Sequence, residues 1–292
     1  MKVLNFGSLN YDHVYEMEHF VVAKETISSI GYARHFGGKG LNQSIALAKA
    51  GMDVYHAGRV GNDGQDFIDY LNKYNVKTDY LIKDNNEATG HAIIQVCKGE
   101  NCIILHGGSN QKIDAKQVED TFDNFGSGDL LLVQNEISSM DLILKKAHEK
   151  GMRIAFNTAP MDSKIFTYPL ELVDIFIVNE VEAQGLADSD SSDIDAIISK
   201  LQNKYADKEI VLTVGEKGAY FIKGSEVIHE DALKVVAVDT TAAGDTFTGF
   251  FLASYLVNGD AREALKLATK ASAITVQGAG AAQSIPELKD IK

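Results

Sequence analysis

Two segments of the sequence carry residues fit for chemistry. The denser is Val238-Asp239-Thr240-Thr241-Ala242-Ala243-Gly244-Asp245-Thr246-Phe247, which runs into an apolar helical pattern ending near Val257. Ala242, Ala243 and Gly244 are too small to cover the amides of a helix start, so they leave an anion hole at the positive end of the helix dipole. A carboxylate in that first turn, Asp245, could serve merely as an electrostatic cap. Beside a site suited to phosphate, however, it also supplies the base that phosphoryl transfer to an alcohol requires. The other segment is Phe36-Gly37-Gly38-Lys39-Gly40-Leu41-Asn42-Gln43, leading into a short helix that stops at Gly51. Its glycines permit positive φ and close approach of backbone to a ligand, while Lys39 and Asn42 set polar groups at the mouth of a small-residue helix. It is not a phosphate-binding loop of the Gly-Lys-Ser/Thr type, and it lacks the dinucleotide-binding glycine spacing.

These segments need a scaffold, and the rest of the sequence describes one. Short apolar runs at Leu130–Gln134, Arg153–Asn157, 174–178 and 210–214 alternate with helical patterns at 64–74, 140–150 and 193–205. That alternation predicts βα units on a mainly parallel sheet. The rhythm breaks twice. Residues 13–36 show strand-like alternation without a helix, and 91–96 and 102–106 flank Lys98-Gly99-Glu100-Asn101 as a β-hairpin. Together they predict a small second sheet over the strand ends of the first, where open α/β folds bind ligands, acting as a lid. The acidic run Asp188, Asp190, Asp193, Asp195 reads as a solvated helix start.

Taken together, the motifs resemble those of the ribokinase family of sugar and nucleoside kinases, over nearly the whole chain. The glycine element Gly37–Asn42 and the element Asp239–Phe247 match its two signatures. Gly7-Ser8-Leu9-Asn10-Tyr11-Asp12, Asn179-Glu180-Val181-Glu182 and Thr213-Val214-Gly215-Glu216-Lys217-Gly218 follow in family order. Within the family, Asn10-x-Asp12 resembles the members that act on ribose. The resemblance implies an α/β three-layer sandwich with a mainly parallel central sheet and a small β-sheet lid. Residues 1–9, 38–88 and 108–292 would form the core, and 10–37 and 89–107 the lid. It implies ATP-dependent phosphorylation of the primary hydroxyl of D-ribose, with deoxyribose, pseudouridine, a fructose-type sugar or a non-catalytic sensor as alternatives. Asp245 would be the base, with Ala242, Ala243 and Gly244 as the anion hole. Asn10, Asp12, Gly38, Lys39, Asn42 and Glu136 would hold the sugar. Asn179 and Glu182 would hold Mg²⁺ and phosphates largely through water, and Thr213, Gly215, Glu216 and Gly218 would line the nucleotide. Asp239, Thr241, Thr275, Gly278, Gly280 and Ser284 would bind an activating K⁺. Thr248, Asn157-Thr158-Ala159-Pro160 and Gly107-Gly108-Ser109-Asn110 depart from the family pattern, and the last two are expected to touch no residue assigned to chemistry.

Composition bounds the partners. The 292 residues carry 28 Lys and Arg against 41 Asp and Glu, a net charge of −13, which disfavours nucleic acid and anionic membrane. Cys97 and Cys102 could face each other across the hairpin, and two free thiols in a reducing compartment are expected. The eight histidines have no metal-ligand spacing, and His13 and His35, near the sugar loops, read as packing or surface residues. With no signal-like or membrane-spanning run, a cytoplasmic enzyme is expected. The aromatic lid residues Tyr11, Tyr15, Phe20, Tyr32 and Phe36 bury one another or, as in ribokinases, a second subunit's lid, which implies a homodimer.

Overall fold

The structure is a computed structural model that describes residues 1–291. In chain order the strands are β1 Val3–Phe6, β2 Asn10–Glu16, β3 Gly31–Gly37, β4 Val54–Gly61, β5 Lys77–Asp84, β6 Gly90–Cys97, β7 Glu100–His106, β8 Leu130–Gln134, β9 Arg153–Asn157, β10 Ile175–Asn179, β11 Glu209–Thr213, β12 Ala219–Lys223 and β13 Glu226–Glu230. Nine of them form one sheet in the order β13-β12-β11-β10-β9-β8-β1-β4-β5. Every pairing from β11 to β5 is parallel, and β12 and β13 add an antiparallel hairpin at one edge. The unbroken apolar runs in the sequence have their explanation here. Helices cover both faces of the sheet, so successive side chains of β8 are buried whichever way they point.

Two cores lie on the two faces. On one, Leu41 and Ile45 of the helix Lys39–Lys49 pack with Phe250 and Phe251 of the helix Ala243–Asn258 and Leu265 of the helix Ala261–Thr275. On the other, Val118, Ile143, Leu186 and Ile197 come from four further helices. Each fully buried aliphatic or aromatic side chain stabilises the fold by about 1.5–3 kcal/mol. The helix Ala243–Asn258 is apolar nearly all round because it is packed on several sides, and its neighbour Lys39–Lys49 comes very close. A Cβ added to Gly249 would collide with the Cβ of Ala46 and stand 2.8 Å from the Leu47 nitrogen. That contact brings the first turns of the two motif-bearing helices together.

The remaining four strands form the second sheet, in the order β3-β2-β6-β7. The pairing of β2 with β6 is parallel and the other two are antiparallel. Its base is anchored on the helix Gln65–Lys73 by packed rings, with Tyr11 and Phe67 centroids 4.6 Å apart and Phe36 and Tyr70 4.5 Å apart. The hairpin between β6 and β7 turns on only Lys98 and Gly99, both at positive φ (51° and 86°), the pairing that two-residue hairpin loops favour. This corrects the reading of the cysteines. Cys97 pairs with Glu100 and Cys102 with Gln95, so the two do not face each other. Both are free, Cys97 buried and Cys102 exposed. Among the described residues no helix is long and apolar enough to cross a membrane.

Candidate active site

The first turns of the helices Lys39–Lys49 and Ala243–Asn258 meet the carboxyl ends of β10 and β11 around a cavity of about 220 Å³. Its wall contains Lys39, Asn179, Glu182, Thr213, Ala242, Ala243, Gly244 and Asp245, residues brought from four separate stretches of sequence. The helix Ala243–Asn258 is preceded by its cap Ala242, which is left-handed (φ 61°), a conformation that costs a non-glycine residue about 1–2 kcal/mol. The amide of Ala243 donates to the Thr240 carbonyl at 3.2 Å. Among the described residues those of Ala242 and Gly244 have no protein acceptor, which leaves two of the three predicted donors for a ligand.

Asp245 is held at both oxygens. Asn42 Nδ2 donates to Oδ2 at 2.9 Å and Gln43 Nε2 donates to Oδ1 at 2.8 Å. Asn42 therefore turns its amide nitrogen to the carboxylate, keeping the second proton of that nitrogen and its Oδ1, which is buried and without a donor, for other use. Gln43 carries no assignment from sequence. The available signal is a second amide beside Asn42 in a helix turn whose every residue is buried.

On the other side of Lys39 lie the groups expected to hold a sugar. Glu136 Oε2 accepts from Ser8 Oγ and, at 3.1 Å, from the Lys39 amide. Asn10 is buried, its Oδ1 accepting from Asn110 Nδ2 at 2.8 Å. Gly38 precedes the helix at φ 97°, which lets the chain turn from β3 into it. Burial pushes the Asp12 carboxyl up to about 7, reinforced by Glu136 and only partly offset by Lys39. Burial likewise raises the Glu136 and Glu182 carboxyls against the opposing pull of Lys39. For Lys39 burial works towards the neutral amine, yet Asp245, Glu136, Glu182 and Asp12 together raise its pKa and keep it charged. Four acids around one ammonium define the electrostatics of the site.

The two departures of sequence expected to lie away from the chemistry are not remote from it. Asn110 holds Asn10, and Asn157 and Ala159 line the cavity, as does Thr248. Loops join the site through space in a way that a linear motif does not disclose.

Asn179 and Glu182 form a capping box at the start of the helix Glu180–Ala187. Asn179 Oδ1 accepts from the Glu182 amide, and the Glu182 carboxylate accepts from both nitrogens of Asn179, at 2.9 to 3.0 Å. Thr213 reaches the cavity, but Gly215, Glu216 and Gly218 stand past the end of β11, beside the cavity and outside its wall. Asp239 ties two loops together, accepting from the Thr241 amide at 2.9 Å and the Gly280 amide at 3.0 Å. Burial acts against its charge, but these bonds prevail and lower its pKa. Ser284 Oγ donates to the Gly280 carbonyl at 2.7 Å. The Thr275 hydroxyl points inward to Thr246 Oγ1 at 3.1 Å, while its carbonyl accepts from the Gly278 amide at 3.1 Å. The six residues expected around a monovalent cation are thus drawn together.

Comparison with known proteins gives the family. Residues 1–288 match the model of the pfkB family carbohydrate kinases. Ribokinase of Schizosaccharomyces pombe is 36% identical over 100% of this chain and 96% of its own, and that of Haemophilus influenzae 33% identical over 96% and 94%. The structure of Arabidopsis thaliana ribokinase complexed with ribose and ATP superposes with a TM-score of 0.89 at 30% identity, over 99% of this chain and 97% of that one. With the family model matched over residues 1–288 and relatives at 33 to 36% identity along essentially the full length, the chain belongs to the pfkB family of carbohydrate kinases.

Proposed function

We propose that this sugar kinase transfers the γ-phosphoryl group of ATP to the primary hydroxyl of D-ribose, giving D-ribose 5-phosphate. The observation that carries the reading is Asp245, a carboxylate held at both oxygens one residue beyond the helix-start amides. Ribokinases at 33 to 36% identity over essentially the whole chain support ribose as the acceptor.

In this reading Asn10, Asp12, Lys39 and Glu136 orient the sugar so that its primary hydroxyl meets Asp245, which takes the proton as the oxygen attacks phosphorus. The amides of Ala242 and Gly244 donate to the oxygens of the transferring group, where charge is spread in the transition state. Lys39 lies between the sugar and phosphate ends and offsets charge on both. Asn179 and Glu182 fit a water-mediated Mg²⁺: their mutual bonds fill one direction on each oxygen and leave lone pairs that water can bridge. That ion neutralises phosphate charge when bound with ATP. Asp239 with the carbonyls of the Gly278–Gly280 turn offers the hard oxygen donors that suit K⁺. The small sheet acts as the lid, a second copy pairs with it to make a homodimer, and the enzyme works in the cytoplasm.

An assay coupled to ADP release, run over pentoses, hexoses and nucleosides, tests the substrate. D-Ribose should give the highest kcat/KM, and a nucleoside or hexose outranking it would overturn the assignment. Asp245→Asn should lower kcat by about 10³-fold with sugar binding retained. The same assay in K⁺, Na⁺ and a bulky organic cation should rank K⁺ first; equal rates would remove the cation from the proposal.

A further inference from the structure

A chain of buried amides runs behind Asp245 into the centre of the sheet. Gln43 Nε2 donates to Asp245 Oδ1, and its Oε1 accepts from Gln134 Nε2 at 2.7 Å. Gln134 Nε2 also donates to Asn5 Oδ1 at 2.9 Å, and Asn5 Nδ2 donates to the Gly40 carbonyl and to Ser44 Oγ, both at 2.8 Å. Ser44 Oγ in turn lies 2.8 Å from His56 Nδ1. Asn5, Gln43, Ser44, His56 and Gln134 are all 0% exposed.

The direction of this chain is forced. An ionised carboxylate only accepts, so Gln43 must present its nitrogen to Asp245 and its oxygen to Gln134. Gln134 must then present nitrogen, and both of its protons are used, one towards Asp245 through Gln43 and one towards Asn5. Its own Oε1 is buried with no donor. Leaving such an acceptor buried and unpaired is unfavourable. A Leu or Val at position 134 would continue the run Leu130-Leu131-Leu132-Val133 without any orphan. A polar group retained at a cost in the middle of a sheet calls for a role beyond packing.

We propose that Gln43 and Gln134 are positioning residues for Asp245, an inference that rests on Asp245 acting as the base. Gln43 fixes the plane of the carboxylate through Oδ1, and Gln134 locks Gln43 in the only amide orientation that can do so. Asn42, on Oδ2, supplies the other half of the grip.

Two near-isosteric variants test this, each read by kcat against KM and by its pH profile. Gln43→Met removes the donor. It should lower kcat by about ten- to a hundredfold and leave both KM values within about twofold, because the carboxylate is no longer held in one plane for the attacking hydroxyl. Gln134→Glu keeps the shape but reverses polarity on ionisation. The introduced carboxylate, once ionised, can only accept, so Gln43 must flip and turn its oxygen towards Asp245. Burial lifts the new carboxyl's ionisation towards neutrality, so kcat of this variant should fall about tenfold or more from pH 6 to pH 9 relative to the native enzyme. A purely structural Gln134 would produce no such alkaline loss. Native kcat and pH profile in both variants, beside an inactive Asp245→Asn, would sink the positioning role alone. A fully active Asp245→Asn would instead sink the base on which it rests. If Gln43→Met does not fold, judged by a ribose-dependent thermal shift, the pH profile of Gln134→Glu decides.

Discussion

Asp12 sits in the most consequential electrostatic position outside the reacting atoms. Its carboxyl titrates at about 7, pushed there by burial first and Glu136 second, so it changes state within the working range of an enzyme. A sugar hydroxyl donates best to the ionised form. The ionised fraction rises from about a tenth at pH 6 to about nine-tenths at pH 8, so KM for the sugar should fall about ninefold over that interval. Asp12→Asn should abolish the slope and raise KM. A KM for sugar that is flat or rises with pH in the native enzyme would show that Asp12 does not bind sugar as an acceptor. The motif around Asp12 is legible in sequence because its residues are contiguous. Gln43 is not, because what gives it meaning is a carboxylate 202 residues away. What sequence does offer is weaker: single amides in otherwise apolar central strands, Asn5 in Val3–Phe6 and Gln134 in Leu130–Gln134. A lone polar residue in a strand buried on both faces has few partners available, and so it marks a network even when its far end is unknown.

Elements set the distance between Asp245 and the groups that hold it. Asn42 and Gln43 belong to one helix and Asp245 to another, and the two come into register only because Gly249 lets the backbones approach. Its missing Cβ would meet Ala46 and Leu47 at less than 3 Å, and Leu47 presents backbone, which cannot rotate away. Gly249→Ala should therefore force the helices apart. We expect a loss of about 1–3 kcal/mol in stability by chemical denaturation, as for overpacked cores. We also expect a kcat loss larger than the change in KM, because the carboxylate loses its paired amides before the sugar pocket is disturbed. Unchanged kcat in a destabilised variant would show that the grip survives the displacement. The two motif-bearing helices are readable from their apolar patterns and glycine stops, and so is the small sheet from its alternation. Their mutual approach is not, since Gly249 lies in an apolar helix run where a glycine has no local reason. The turn of the β6–β7 hairpin is likewise shorter than its sequence suggests. Lys98 adopts positive φ (51°), whereas the residues of this segment that the sequence marks as suited to it are Gly99 and Asn101.

At the scale of the whole molecule, the net charge of −13 and the four carboxylates around Lys39 make the field unfavourable to a polyanion such as ATP. The site answers locally, with helix-start amides and, in the proposed mechanism, cations carried in or held nearby. The lid sheet poses a different problem. Its edge strand β7 is exposed along its whole length, and Ile103, Ile104 and Leu105 are 57%, 63% and 46% exposed. Tyr32, on the opposite edge strand, is 56% exposed. In register, Ile104 pairs with Ile93, itself beside His13, which stacks on Tyr32. A stripe of apolar and aromatic-ring side chains thus runs across the sheet and ends on an open edge, with Arg34 beside His13 on the far strand, a combination that invites another strand or sheet. In the proposed homodimer a second copy of the small sheet would answer both needs at once, because a twofold operation sets the same stripe against itself. Ile104→Asp places a charge in that stripe, far from Asp245. We expect the native protein to elute as a dimer and the variant as a monomer in gel filtration at micromolar concentration. The variant's core should retain its thermal stability, and KM for sugar should rise as the lid loses its support. A native protein that elutes as a monomer would remove the dimer and leave the stripe without an occupant.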